Sequence, residues 1–295
     1  MEPMDIGWIG TGVMGRPMCA HLMRRGHRVR VFNRSREKAE KLIQDGAAWC
    51  PSPAAAASAA DLVFTMVGFP RDVEETILGA QGVLEGARAG TVVVDMTTSS
   101  PALAVELYQR AREKGVDTLD APVSGGDIGA REATLAIMVG GEKPVFEKIR
   151  PLFEILGKTI AHMGPSGSGQ NTKMCNQILI AGTMIGCVES LLYAHKAGLS
   201  QAAVIDIIGQ GAASSWTINN LGRRIAAHDF NPGFYIKHFI KDMGIALAEA
   251  QRMQLSLPGL ALVHQFYLAA QAQGHGQLGT QGLYRVLAQM NHMTP

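Results

Sequence analysis

A chain of 295 residues, 47% hydrophobic and 18% charged, is long enough for two domains with buried cores and too apolar for a disordered polymer. Its formal net charge of +2, with no long run of like charge, gives no reason to expect a nucleic acid or a membrane surface as partner. The four cysteines (Cys19, Cys50, Cys175, Cys187) lack CxxC or Cys/His ligand spacing, which predicts free thiols, no structural zinc and a cytoplasmic protein.

No basic stretch followed by an apolar one opens the chain, so no secretory signal is expected. The apolar run from Ile178 to Val188 is too short to span a bilayer and reads as a buried helix.

In chain order, residues 4–9 form a short apolar strand that ends in Gly10, Thr11, Gly12, Val13, Met14 and Gly15. Val13, Met14, Met18, Leu22 and Met23 keep helical spacing up to Gly26, and the alternating strand 28–32 follows. Strand, G-x-G-x-x-G, helix, strand is the context a dinucleotide fingerprint requires. Gly10 permits the tight turn, Gly12 lets backbone approach a pyrophosphate, and Gly15 lets helix and strand pack closely. At the end of the second strand an NAD site usually carries an acid for the ribose 2′-hydroxyl. Here stand Asn33, Arg34 and Ser35, with Arg36 and Lys38 close behind. A guanidinium and a hydroxyl suit a 2′-phosphate that a carboxylate would repel, so NADP(H) is favoured over NAD(H). The same turn also reads as a solvated helix start with Ser35 as N-cap.

The alternation continues with an Ala-rich helix near 53–60, a strand at 61–67, a loop at 68–72 and a helix at 73–78. A strand at 91–96 leads to a helix capped by Ser100 and running to 114. A strand at 116–121, a loop at 122–127 and strands at 135–139 and 159–163 complete the half. Such alternation predicts a parallel, doubly wound sheet. Ligands bind beyond the carboxyl ends of such strands, so Met66 and Val67, Thr98, and Ser124, Gly125 and Gly126 should line one crevice with the first glycine loop. Ser124 with two glycines could nest a carboxylate, or could be an ordinary turn.

Gly164, Gly167 and Gly169 then run into a long apolar helix over 168–196. Lys173 sits about one turn inside it, and Asn176 and Gln177 share its face at i+3 and i+4. A lysine with two carboxamides on a mostly apolar helix is a candidate proton donor, set against the plain reading of a surface lysine. Residues 197–295 show helical periodicity and no convincing strand, with helices expected at 201–209, 215–227, 238–253, 258–273 and 284–290. Lys237, His238 and Lys241 share a face that reads as a solvated basic one, and the nine histidines show no metal-ligand spacing. The organisation expected is a Rossmann-type domain at 1–164, an interdomain helix at 165–196 and an all-α domain at 197–295 that serves substrate and oligomerisation.

Taken together, the glycine fingerprint from Ile9 to Met18, the segments Asp95–Thr98, Asp120–Gly126 and Ala130–Gly141, the loop with Lys173, and Phe234 and Lys241–Met243 resemble the β-hydroxyacid dehydrogenase family. This family includes 3-hydroxyisobutyrate dehydrogenases, tartronate semialdehyde reductases and glyoxylate/succinic semialdehyde reductases. The resemblance covers nearly the whole chain. It implies Lys173 as acid/base, Ser124, Gly125 and Gly126 as the substrate-carboxylate site, Thr98 beside the nicotinamide, and Lys241 over the cofactor. It implies substrate contacts from Phe234 and from Asn176 or Gln177; many members carry Asn where this chain has Gln177. Many also carry Leu-Pro where this chain has Met66 and Val67. A small anionic substrate, a homodimer or homotetramer and metal-free chemistry follow from the same resemblance. The alternatives are an imine or carbonyl reductase, whose members generally replace the lysine, and a catalytically silent scaffold.

Overall fold

The computed structural model describes residues 2–293, and the chain divides into two compact units between Lys173 and Met174. In the first unit the strands are β1 (Asp5–Ile9), β2 (Arg28–Phe32), β3 (Ala48–Trp49), β4 (Leu62–Thr65), β5 (Val92–Asp95), β6 (Asp117–Asp120), β7 (Val123–Ser124), β8 (Leu135–Gly141) and β9 (Gly157–Gly164). The helices between them are α1 (Gly15–Arg24), α2 (Glu40–Gln44), α3 (Pro53–Ala57), α4 (Pro70–Leu78), α5 (Val83–Gly86), α6 (Pro101–Arg112), α7 (Gly126–Glu132) and α8 (Lys143–Leu156).

The sheet order is β3-β2-β1-β4-β5-β6-β8-β7, with β9 on β8. The order in which parallel strands are added reverses at β1/β4, where the first glycine loop emerges, the place where such sheets bind ligands. Alternation along the strands feeds two cores. Ile6, Trp8, Leu62, Phe64, Val92 and Val94 pack under α1 and α8, while Ile9, Val63 and Val93 pack under α3, α4 and α6. A sheet buried on both faces needs apolar residues at successive positions, and β4 and β5 are buried throughout.

Several elements differ from the sequence expectation. The sheet is parallel from β3 to β6, but β8 runs antiparallel to β6 and β7. The expected loop at 122–127 contains β7 and the start of α7, because Pro122 interrupts β6 and lets the chain resume against a different stretch of β8. Helix α4 begins at Pro70, three residues earlier than expected, with proline in its first turn and Asp72 accepting from the Phe69 N–H. Helix α8 had no counterpart in the sequence reading: its interior Pro151 masks a helical stripe of Phe146, Ile149, Leu152, Phe153 and Leu156.

The second unit is helical: α9 (Ser168–Lys196, shared with the first unit as one continuous helix), α10 (Gln201–Ile208), α11 (Arg223–Ala226), α12 (Ile236–Arg252), α13 (Pro258–Ala272) and α14 (Leu283–Met290). The expected helix at 215–227 is wound as a π-turn over Thr217–Gly222 before α11. Its core joins Ala181, Met184, Val188 and Leu191 of α9 to Phe239, Met243 and Tyr267. By length and mean hydropathy (1.5) α9 could cross a membrane, a property the shorter run read from the sequence did not reveal. Within this unit it serves as the core helix.

Glycines of the first unit allow close approach of strand ends. A Cβ on Gly140 of β8 would lie 2.5 Å from Asp120 Oδ1 and 2.7 Å from the Gly169 nitrogen. Gly140→Ala is therefore expected to destabilise by about 1–3 kcal/mol, the usual cost of overpacking. Thermal unfolding checks this; an unchanged Tm would contradict the packing described.

Candidate active site

The first glycine loop closes β1. Gly10 has φ +98°, a region that favours glycine, and the buried indole of Trp8 donates to its carbonyl at 2.8 Å. A side chain on Gly15 would collide with that same carbonyl, whereas a Cβ on Gly12 would meet nothing within 4 Å. The loop is thus held tightly below and open above, with Val13 exposed on the open side. Thr11 is buried, its Oγ1 has no hydrogen-bond partner, and its N–H donates to Asn33 Oδ1 at 2.9 Å. An orphaned hydroxyl, an uncovered glycine and the N-terminus of α1, where Met14 stands as cap, are the features a dinucleotide phosphate would satisfy.

At the end of β2, Asn33 Nδ2 also donates to the Ser35 carbonyl, so this carboxamide braces two loops. Ser35 occupies an N-cap position, but its side chain makes no capping bond. The Arg34 guanidinium is exposed and lies 3.2 Å from Asp72 Oδ1, while Arg36 stacks over Trp49. No acid stands at the strand end itself; the carboxylate facing Arg34 comes from α4. In the structure Arg34 is thus engaged by a carboxylate of the same unit.

The next two strand ends are tied together. Thr65 and the Thr97 N–H both donate to Asp95 Oδ1, at 2.8 and 3.0 Å, and the Val67 N–H donates to Thr97 Oγ1 at 2.9 Å. Met66, Val67 and Thr98 therefore sit on loops whose backbone is fixed from below. Beyond β7, Gly125 (φ +130°) and Gly126 (φ +63°) turn the chain from Ser124 into α7. A His21 ring nitrogen lies 3.0 Å from both the Ala130 and Arg131 carbonyls, which ties the far end of α7 to α1.

The start of α9 is anchored within the first unit. The N–H groups of Gly167 and Gln170 donate to the two oxygens of Asp120, each at 2.8 Å. Gln170 is fully buried; its Oε1 accepts from the Ser99 N–H at 2.9 Å and its Nε2 donates to the Thr97 carbonyl at 2.7 Å. Lys173 follows one turn later and is only 6% exposed, which departs from the surface-lysine reading.

In the second unit, Asn176 Nδ2 donates to Gln177 Oε1, and Gln177 Nε2 donates to Asp242 Oδ2, both at 2.7 Å. Lys241 Nζ lies 3.0 Å from Asp242 Oδ1 as an ion pair, off the line of a hydrogen bond. Lys237 reaches Gln277 and the ring of Tyr235, so with Lys241 largely buried the expected solvated basic face is not one. Phe234 packs edge-on against Phe239 at 5.8 Å.

The predicted residues thus fall into two groups. Gly10 to Gly15, Asn33 to Ser35, Met66, Val67, Thr98, Ser124 to Gly126 and Lys173 belong to the first unit, and Asn176, Gln177, Phe234 and Lys241 to the second. Sequence reasoning missed Asp72, Asp95, Asp120, Gln170 and Asp242. Asp95, Asp120 and Asp242 stand inside the motifs that carry the resemblance, but nothing in the sequence shows which groups they bond. Among the described residues no group of three His, Cys, Asp or Glu side chains is gathered as metal ligands.

Residues 5–164 match the family described as the NAD binding domain of 6-phosphogluconate dehydrogenase, and residues 167–287 match the NAD-binding family of NADP-dependent 3-hydroxyisobutyrate dehydrogenase. The chain is 51% identical to a probable 3-hydroxyisobutyrate dehydrogenase-like protein 1, mitochondrial, of Arabidopsis thaliana, over 98% of this chain and 86% of that one. It is 40% identical to the 2-hydroxy-3-oxopropionate reductase of Escherichia coli, over 98% and 99% of the two chains. The structure of Mycobacterium tuberculosis 3-hydroxyisobutyrate dehydrogenase with L-serine aligns with a TM-score of 0.88 at 32% identity, covering 97% of this chain and 99% of that one.

Burial pushes the Asp120 carboxyl up to about 6; the two N–H donors oppose this and Asp95 on the neighbouring strand adds to it. The unfolded carboxyl, with its ordinary value of 3.8, releases its proton before the folded one, so stability from this group falls as pH rises from about 4 to about 6. Asp120→Asn should remove that slope, so the Tm of the variant relative to the parent should rise across this window. A constant difference in Tm between pH 4 and 6.5 would contradict the assignment.

Proposed function

The chain belongs to the β-hydroxyacid dehydrogenase family, and we propose that it interconverts a small β-hydroxy acid and its semialdehyde, with Lys173 as acid/base and NADP(H) as the preferred cofactor. The observation that carries this reading is the placement of Lys173: a buried lysine, one turn into a helix whose first turn is bonded to the loops at the ends of β5 and β6. The N-terminal unit is a nicotinamide-dinucleotide domain, and bound nicotinamide supplies or accepts the hydride.

The chain's own residues do the rest. The backbone around Gly12 and the start of α1 bind the pyrophosphate, and Arg34 with Ser35 holds the 2′-phosphate. Met66, Val67 and Thr98 contact the remainder of the dinucleotide. Ser124 and the N–H groups of Gly125 and Gly126 receive the substrate carboxylate, at a turn where both glycines have positive φ. In reduction, Lys173 as ammonium hydrogen-bonds the carbonyl oxygen and delivers its proton there. In oxidation, neutral Lys173 removes the hydroxyl proton. The chemistry needs no metal: Lys173 supplies and removes the proton. The roles that the resemblance gives Asn176, Gln177, Phe234 and Lys241 complete the proposal, Asn176 or Gln177 touching substrate.

The names of the relatives support a substrate class of three- and four-carbon hydroxy acids such as 3-hydroxyisobutyrate, with tartronate semialdehyde in the reductive direction. Self-association as a homodimer or homotetramer belongs to the same proposal, supported by exposed Leu179 and Tyr193 on α9; light scattering tests it. A cytoplasmic location is supported by four free cysteines.

Lys173→Ala should lower turnover by roughly 10²–10⁴-fold, the usual contribution of a positioned acid/base, while the Kd for NADPH stays within about threefold. Retained turnover would sink the mechanism. Arg34→Ala should cut the NADP⁺ over NAD⁺ preference by roughly 10- to 100-fold, as expected for the loss of a charge-assisted hydrogen bond. If the ratio does not move, Arg34 does not read the 2′-phosphate.

A further inference from the structure

We propose that Gln170 and Asp120 are positioning residues that set Lys173 and the Thr98 loop in register with each other. This rests on the reading of Lys173 as the acid/base. Neither residue contacts the reacting atoms in that reading; they act through the backbone of the loop and the helix.

Gln170 grips both neighbours of Thr98. Its Nε2 donates to the carbonyl of Thr97 and its Oε1 accepts from the N–H of Ser99, so the loop closes on the carboxamide at both ends and Thr98 is left between the two bonds. The orientation of the carboxamide is fixed by its partners, since a carbonyl can only accept and an N–H can only donate. Gln170 lies three residues before Lys173 on α9, hence on the same side of the helix. One buried side chain thereby links the loop beyond β5 to the helical turn that carries the acid/base.

Asp120 fixes the other end of that turn. The first N–H groups of any helix have no partner within it. Here two donors at the entry to α9, Gly167 and Gln170, point at separate oxygens of one carboxylate. Asparagine could not replace it, because its amide nitrogen would face an N–H donor. The surrounding glycines have the same geometry in view: a Cβ on Gly140 or on Gly169 would press on Asp120. Burial makes ionised Asp120 costly to the fold, so a purely structural role would be better served by a neutral pair. The geometry is that of a brace whose accuracy matters more than its stability.

Misplacing an acid/base by about 1 Å can cost on the order of 10²-fold in rate without weakening binding. The test uses the intact enzyme with Gln170→Glu, Gln170→Leu and Asp120→Asn beside Lys173→Ala. Gln170→Glu keeps an acceptor for Ser99 but cannot donate to Thr97, which separates the bond from the packing. For each variant, kcat, KM for the hydroxy acid, Kd for NADPH and amide exchange of residues 167–172 are measured. The expected result is a roughly 10- to 100-fold fall in kcat, KM and Kd within about threefold of the parent, and faster exchange at the start of α9. Unchanged exchange would overturn the brace itself. Faster exchange with kcat within twofold of the parent would overturn the positioning role, as would a fall in kcat that tracks the loss of folded protein. If Lys173→Ala keeps its turnover, the acid/base reading fails, while the exchange data still decide whether the brace exists.

Discussion

The start of α9 brings a helix N-terminus down among the ends of a parallel sheet, a place where unpaired backbone N–H groups are buried and water cannot serve them. The fold meets that constraint with side chains from strands about fifty residues away in sequence. Asp120 takes two of the N–H groups, and the first buried side chain of the helix, Gln170, turns back to the β5 loop. Gly140 and Gly169 leave room for the carboxylate, and Ser166 ties the preceding turn to the Ala104 carbonyl of α6. These bonds hold the first turn of α9, the turn that leads to Lys173.

The other strand ends follow the same logic. Buried polar side chains take up loop N–H groups: Asp95 and Thr97 below Val67, Asn33 below Thr11, and Asp72 at the start of α4. Each of these loops is rigid on its inner side and keeps its outer side for ligand. Preorganisation of that kind limits what binding must order, which suits a site that has to hold a dinucleotide and a small acid in one geometry. The second unit repeats the device on a smaller scale, with Asp242 buried between the Gln177 carboxamide and Lys241.

Local patterns made much of this legible. The spacing of Gly10, Gly12 and Gly15 after an apolar strand marked the turn between β1 and α1, and the apolar run after Gly169 placed α9 at 168–196, the bounds observed. Ser100 was readable as a cap because serine before proline at a helix start has few other uses, and its hydroxyl accepts from the Leu103 N–H. Strand direction was not readable: nothing local in residues 135–141 distinguishes an antiparallel strand from a parallel one. Pro151 hid α8 because proline inside a helix is normally a breaker. Asp120, Gln170 and Asp242 were out of reach for a different reason. Their partners are 47 to 73 residues distant, and a buried polar side chain reveals its role only when its partners are in place. The apparent basic face of α12 failed the same way, since the neighbours of Lys241 and Lys237 come from elsewhere in the unit or from off the helix face.

The most direct test of the account follows the hydride. NADPH carrying two deuterium atoms at C4, so that either face delivers label, would be turned over with the semialdehydes of 3-hydroxyisobutyrate and glycerate, and the products examined by NMR. The account predicts one deuterium per product molecule, on the carbon that becomes the carbinol, with the hydroxyl proton drawn from solvent through Lys173. Oxidation of the cofactor without label on that carbon, or no reaction with any short β-oxo acid, would contradict it.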